Sequence, residues 1–204
     1  MDENVAIIDL GSNSVRVIVM RINLNTSYKM VEQVKRMVRL SEGMVENNRL
    51  TDFAMDRTIE ELKNFKNIIK SHHVKNTISL ATAAVRNALN GSEFLQRVYD
   101  ETGIRFRIIT GEEEGYLDYL GVINSISIRD CIIVDTGGGS TEIVLVENRL
   151  IKHVVSIPYG AVTLTEKFLS VKDNPENIIN KIEDYIKNIY KKISWLKKSK
   201  ELPI

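Results

Sequence analysis

The chain has 204 residues, 43 % of them hydrophobic, enough for one large domain or two small ones that each bury a core. Charge is balanced, with 28 basic against 27 acidic residues, which argues against a nucleic-acid partner and against an acidic tail. No apolar run approaches the roughly 20 residues needed to cross a bilayer, so a cytoplasmic protein without a membrane partner is expected.

The N-terminus runs from Met1-Asp2-Glu3-Asn4 straight into a strand, with no signal peptide in view. Val5 to Ile8 reads as a short buried strand ending at Asp9, followed by a turn of small polar residues, Leu10-Gly11-Ser12-Asn13-Ser14, and a second strand from Val15 to Ile22. A polar turn at 23–27 leads to a long solvated strand from Tyr28 to Leu40, and 41–49 is loop. Thr51 is a plausible N-cap, after which Met55, Ile59, Leu62, Phe65 and Ile69 recur at helical spacing. The helix ends at His72-His73, which is tempting as a metal site. Adjacent histidines point in different directions on a helix, and no acidic or cysteine partner is near in sequence, so a solvated helix end is the better reading.

Thr77 to Leu80 is a further buried strand, followed by the small-residue stretch Ala81 to Ala88 with one arginine, Arg86. A lone arginine is usually a surface group, but crevices just past strand ends are where open α/β folds bind ligands. A helix is expected over Ser92 to Thr102 and a strand over Arg105 to Ile109. Gly111-Glu112-Glu113-Glu114-Gly115 then opens a helix with Leu117, Leu120 and Ile123 behind it. Acidic residues in a first turn complement the helix macrodipole. Three in a row exceed that need, so one is a candidate base.

The most informative stretch is Ile132-Ile133-Val134-Asp135-Thr136-Gly137-Gly138-Gly139-Ser140-Thr141-Glu142-Ile143-Val144-Leu145-Val146. An apolar run ends in an aspartate, turns through three glycines and two hydroxyls, passes a glutamate and resumes as an apolar run. Backbone N–H groups of such a turn can converge on an anion while the bracketing carboxylates hold a metal ion. A P-loop or dinucleotide loop would run into a helix, whereas this one runs into a β-branched strand, so it is a hairpin with a phosphate-binding tip. Superimposing Asp9 on Asp135 superimposes Gly11 on Gly137 and Ser14 on Ser140, an internal repeat at an offset of 126 residues (135 − 9).

Cys131, the single cysteine, starts this apolar run and reads as a buried structural thiol. Beyond the loop, Asn148 makes a turn, Leu150 to Ile157 is a strand, Pro158-Tyr159-Gly160 breaks it, and Ala161 to Leu169 is a helix. Asn174 with Pro175 caps another, whose apolar face is Ile178, Ile182, Ile186, Ile189, Ile193 and Leu196. A lysine-rich amphipathic helix can serve a membrane or partner surface, but covering a sheet is the preferred reading. The whole is an α/β pattern, divided into domains at 1–127 and 128–204, the second with fewer strands than the first.

Five segments carry a family resemblance: Ile8-Asp9-Leu10-Gly11-Ser12-Asn13-Ser14, Thr82 to Ala88, Gly111 to Glu114, Asp135 to Glu142, and Ser156-Ile157-Pro158-Tyr159-Gly160-Ala161-Val162. In this order the chain resembles the exopolyphosphatase and guanosine pentaphosphate phosphohydrolase family of the actin-like ATPase superfamily. The resemblance implies a ribonuclease H-like fold of two related α/β domains, the second incomplete, with a Mg2+-dependent site in the cleft that releases terminal phosphate from polyphosphate or guanosine pentaphosphate. It implies that Glu114 activates water, that Arg86 holds the phosphate chain beside it, and that Asp135 and Glu142 serve the metal. Asp9, Gly11, Ser12, Asn13, Ser14, Gly137, Gly138, Gly139, Ser140 and Thr141 fall to phosphate binding.

Three departures stand out. Gly115-Tyr116 replaces the common Ala-Arg after the glutamates, Thr163 stands where arginine is common, and the family's second domain normally continues for about another hundred residues. A weakly active binding module is therefore the alternative to an enzyme, and an uncovered apolar surface leads to an expected homodimer.

Overall fold

Buried and half-exposed residues alternate along Glu3–Leu10 (β1) and Ser14–Ile22 (β2), and the two pair as an antiparallel hairpin with Asp9 opposite Arg16 and Leu10 opposite Val15. The computed structural model describes residues 2–24, 27–44, 47–169, 174–198 and 202–204. Parts of the expected turn at 23–27 and loop at 41–49, namely residues 25, 26, 45 and 46, lie outside them. Two compact units are formed, Met1–Thr110 and Gly111–Ile204.

In the first unit β2 also pairs antiparallel with Tyr28–Met37 (β3), and β1 pairs in parallel with Asn76–Ala81 (β4), which pairs in turn with the two-residue strand Arg107–Ile108 (β5). The strand order is β3-β2-β1-β4-β5. Helices Asp52–Ser71 (α1), Ala83–Asn87 (α2) and Gly91–Thr102 (α3) complete the unit. Ile59, Leu62 and Phe65 of α1 and Phe94 and Val98 of α3 bury one sheet face, against Ile8, Leu10, Val15 and Val17. Thr51 caps α1 by accepting the Ala54 N–H, as its sequence position predicts. The His72 end differs from expectation, because folding brings Glu32 of β3 against the His72 ring. A partner distant in sequence was invisible to a local reading.

In the second unit Cys131–Thr136 (β6), Thr141–Glu147 (β7) and Leu150–Ile157 (β8) form an antiparallel sheet in that order. Asn148 and Arg149, both at positive φ, make the two-residue turn between β7 and β8. Helix Gly111–Ser125 (α4) covers one face with Tyr119, Val122 and Ile123 against Cys131, Ile133, Val144 and Val146. Burial pushes the Cys131 thiol up from its ordinary pKa, with Asp130 adding to the effect.

Helices Ala161–Leu169 (α5) and Pro175–Tyr190 (α6) follow β8. The opposite sheet face, Ile132, Ile143, Leu145 and Ile157, is packed by Ile189 and Tyr190 of α6 and by Ile193, Trp195 and Leu196 beyond it. The expected single apolar helix face thus ends early: α6 stops at Tyr190, and Trp195 and Leu196 come from the 3-10 turn Ser194–Lys198, with Trp195 stacked on His153 at 5.3 Å. The Ile132 N–H donates to the Pro203 carbonyl at 2.9 Å. Among the described residues no helix is long and apolar enough to cross a membrane.

The division between units falls at Thr110/Gly111, whereas the sequence suggested 127/128. The reason is local. A Cβ on Gly115 would lie 2.8 Å from Val154 Cγ1 and 3.3 Å from Val144 Cγ2, so the bare glycine lets α4 close onto β7 and β8. Glu114 therefore belongs to the second unit.

Candidate active site

The two hairpins repeat in geometry as well as in wording. The Gly11 N–H donates to the Ser14 carbonyl at 3.0 Å, and the Gly137 N–H donates to the Ser140 carbonyl at 3.0 Å. Asp135 faces Glu142 across β6 and β7 just as Asp9 faces Arg16 across β1 and β2. At the same offset, then, one hairpin carries a guanidinium where the other carries a carboxylate.

In the first unit the turn is pinned from outside. The Asn13 carbonyl accepts from Val38 and Arg39, and the Ser12 carbonyl accepts the Ser41 N–H. Ser12 is 3 % exposed, yet its Oγ makes no hydrogen bond among the described residues, and neither does the buried Nε of Arg16. Both are unsatisfied donors at a turn that sequence assigns to phosphate. The Thr82 N–H donates to the Leu10 carbonyl at 3.1 Å, which sets α2 at the end of β1, and Nη1 of Arg86 in its last turn donates to the Ile109 carbonyl at 2.9 Å. Asp9, Gly11 to Ser14 and Arg86 are thus gathered at the carboxyl ends of β1 and β4, where open α/β sheets hold ligands.

In the second unit the loop carbonyls are spent inward. Gly137 accepts from Ala161, and Gly138 from Val162 and Thr163, so the first turn of α5 is satisfied by the loop itself. This contact requires Gly160, where a Cβ would sit 2.4 Å from the Gly137 oxygen and 2.6 Å from the Gly138 carbonyl carbon. Thr163 is occupied too: its Oγ1 accepts the Gly160 N–H at 2.8 Å and donates to the Gly160 carbonyl at 3.1 Å, so it shapes the turn where an arginine would reach out. Thr141 Oγ1 donates to the Tyr159 carbonyl at 2.8 Å. Among the described residues the Gly138 and Gly139 N–H groups make no backbone hydrogen bond, which leaves two donors for an anion at the tip.

Four carboxylates share the α4 face of this sheet. Glu114 and Asp118 stand one helical turn apart on α4, and Asp135 and Glu142 stand opposite each other on the strands. Burial pushes the Asp118 carboxyl up to about 7, and the charges of Asp135, Glu142 and Glu114 and hydrogen bonding to Asp135 add to the rise. Asp118 Oδ2 is buried without a hydrogen bond among the described residues. Glu142 is 2 % exposed and accepts from Ser156 Oγ at 2.6 Å.

Sequence reading passed over Asp118 and Arg16, and it included Ser156 in a motif segment without giving it a role. Asp118 could have been found from its spacing of four after Glu114, and Arg16 from the internal repeat.

A cage of three or more His, Cys, Asp or Glu side chains arranged to hold a metal is absent among the described residues. Mg2+ asks for less: one or two carboxylates, with water and substrate oxygens completing its shell. Asp135 and Glu142, with the orphaned Asp118 oxygen beside them, fit that requirement.

Over 206 residues the chain is 35 % identical to a bifunctional 3-dehydroquinate synthase/phosphatase of Fusobacterium nucleatum, covering 95 % of this chain and 31 % of that protein. Over 163 residues it is 36 % identical to a guanosine-5'-triphosphate,3'-diphosphate pyrophosphatase of Vibrio atlanticus, covering 79 % and 33 %. The crystal structure of an exopolyphosphatase from Cytophaga hutchinsonii superposes with a TM-score of 0.84 at 26 % identity, over 94 % of this chain and 63 % of that one. The chain thus spans about a third of the curated relatives and under two thirds of the solved one. Its α/β architecture is the actin-like, ribonuclease H-like fold of that structure. The model of the Ppx/GppA phosphatase family matches residues 18–201, and with a match of that extent the chain belongs to this family.

Proposed function

We propose that the chain carries the hydrolytic machinery of a phosphohydrolase that releases the terminal phosphate of inorganic polyphosphate or of guanosine pentaphosphate, with Glu114 as the water-activating group. The observation that carries this reading is the gathering of Glu114, Asp118, Asp135 and Glu142 on one sheet face beside the second glycine loop. The names of the relatives, an exopolyphosphatase and a guanosine pyrophosphatase, supply the two substrate classes.

Phosphoanhydride hydrolysis needs an oriented water and neutralisation of charge on the transferred group, with little covalent chemistry from the protein. Glu114 accepts the proton of the attacking water as its oxygen bonds to the terminal phosphorus. The bridging P–O bond breaks, and orthophosphate and a chain shortened by one phosphate leave. In the first unit the Ser12 hydroxyl can bind phosphate oxygens and the guanidinium groups of Arg86 and Arg16 can fork onto them, and in the second the loop amides at Gly138 and Gly139 and the Ser140 hydroxyl can bind them. Asp135 and Glu142 would hold Mg2+, which supplies charge neutralisation of the phosphate oxygens.

The test is phosphate release from polyphosphate and from guanosine pentaphosphate, measured side by side. Release is expected to fall by on the order of 10²-fold or more in Glu114→Gln, the scale of a lost general base. Release at the wild-type rate in that variant removes Glu114 from the role. The difference in sheet size favours a second reading, a phosphate-chain or alarmone binding module with little turnover, since among the described residues the second unit has three strands and the first has five. Calorimetric binding without product formation would select it.

A further inference from the structure

We infer that Ser156 is a positioning residue for Glu142, setting the direction of the carboxylate that serves the divalent cation. The inference rests on the proposed metal role of Glu142 and adds a residue to it.

Three observations support it. Ser156 lies directly opposite Glu142 in the β7–β8 register, so the two side chains emerge on the same face of the sheet. Its Oγ donates to Glu142 Oε1 at 2.6 Å, a short, charge-assisted bond of the strong kind. Glu142 is almost wholly buried, and the backbone of α4 closes over it where Gly115 leaves room, an added Cβ there lying 3.7 Å from the Glu142 Cβ.

The physical consequence follows from what else could hold this side chain. A glutamate has three rotatable bonds, and strand packing fixes the first of them best. The end of the side chain needs a partner of its own. In this site the hydroxyl of Ser156 takes one lone pair of Oε1 and so helps to set the plane of the carboxylate. Groups that orient ligating carboxylates in this way commonly change metal affinity 10–100-fold when removed. The same position explains why a hydroxyl stands in β8 where its neighbours Val154, Val155 and Ile157 are all apolar.

Calorimetric titration of the metal-free full chain with Mg2+ tests this, using Ser156→Ala, Ser156→Thr and Glu142→Gln, with thermal melting of each metal-free variant as the control for folding. Ser156→Ala is expected to weaken Mg2+ binding by about 10-fold, and Ser156→Thr, which restores a hydroxyl on a strand-compatible side chain, to recover most of it. In phosphate release, Ser156→Ala should raise the Mg2+ concentration for half-maximal rate more than it lowers the rate at saturating Mg2+. Wild-type Mg2+ affinity in Ser156→Ala alongside weakened affinity in Glu142→Gln overturns the role of Ser156 and leaves Glu142 in place. Wild-type affinity in Glu142→Gln overturns the metal role of Glu142 and this inference with it. Equal weakening in the Ala and Thr variants also overturns it, because a hydroxyl would then make no difference.

Discussion

Burial and neighbouring negative charge displace the acidity of Asp118 upward, and the displacement has a sign that can be checked. Its folded pKa is about 7 against an ordinary 3.8, so between those values the folded state holds a proton that the unfolded chain has released. Stability contributed by that proton is lost as pH rises from about 4 through 7 and then levels off. Asp118→Asn, neutral at every pH, should therefore melt higher than the wild type in metal-free buffer at pH 8, with the gain shrinking toward pH 5. A gain that is equal at both pH values would show that Asp118 is not held protonated in the fold. Mg2+ is expected to raise the wild-type Tm more at pH 8 than at pH 5, because a ligating carboxylate must first give up its proton.

At the scale of elements, the second loop depends on two close approaches. Gly160→Ala would drive a Cβ into the backbone of Gly137 and Gly138, atoms that cannot swing aside, and a loss of about 1–3 kcal/mol in denaturant unfolding is expected. Gly115→Ala meets mainly the methyl groups of Val154 and Val144, so its cost should be smaller. The reverse order would mean that α4 is the more rigid neighbour.

These same contacts mark where the sequence was legible. Thr51 and Asn174-Pro175 announce helix starts because a cap is local chemistry, and each side chain accepts the N–H that its position predicts. The repeated Asp-x-Gly hairpins are legible because turn and strand signals sit within a dozen residues. The allegiance of α4 was not, since it is decided by Gly115 meeting Val144 and Val154, which are distant in sequence. Nor was the buried face of α4, where spacing suggested Leu117 and the structure leaves Leu117 exposed while Gly115 and Ile123 face the sheet. The break after Tyr190 escaped notice because Ile193 and Leu196 keep the apolar spacing through the 3-10 turn. In the site, the motif residues were readable one by one, but Asp118 carries no motif, and Ser156, though it opens a motif segment, carries no sign in the sequence that it faces Glu142.

At the scale of the whole molecule, the two units are unequal versions of one plan. In the first, β1 is paired on both sides, by β2 and by β4. In the second, β6 pairs with β7, and its other side receives the Pro203 carbonyl at Ile132. A strand edge with few partners is a template for association, and Tyr28, Met30 and Met37 on the outer strand β3 add exposed apolar surface in the first unit. A dimer is accordingly expected in light scattering across a concentration series, and a monomer mass throughout would dismiss it.

Trp195 is the only tryptophan in the chain, and it lies in the second unit, stacked on His153. The molecule therefore carries a built-in optical label on one unit alone: indole emission follows the layer beneath β6 to β8, while far-ultraviolet dichroism records the helices of both. In urea, emission and dichroism curves that coincide would mark a single cooperative transition. An emission change at lower urea would show the three-stranded unit opening first, and with it the face that bears Glu114 and Glu142.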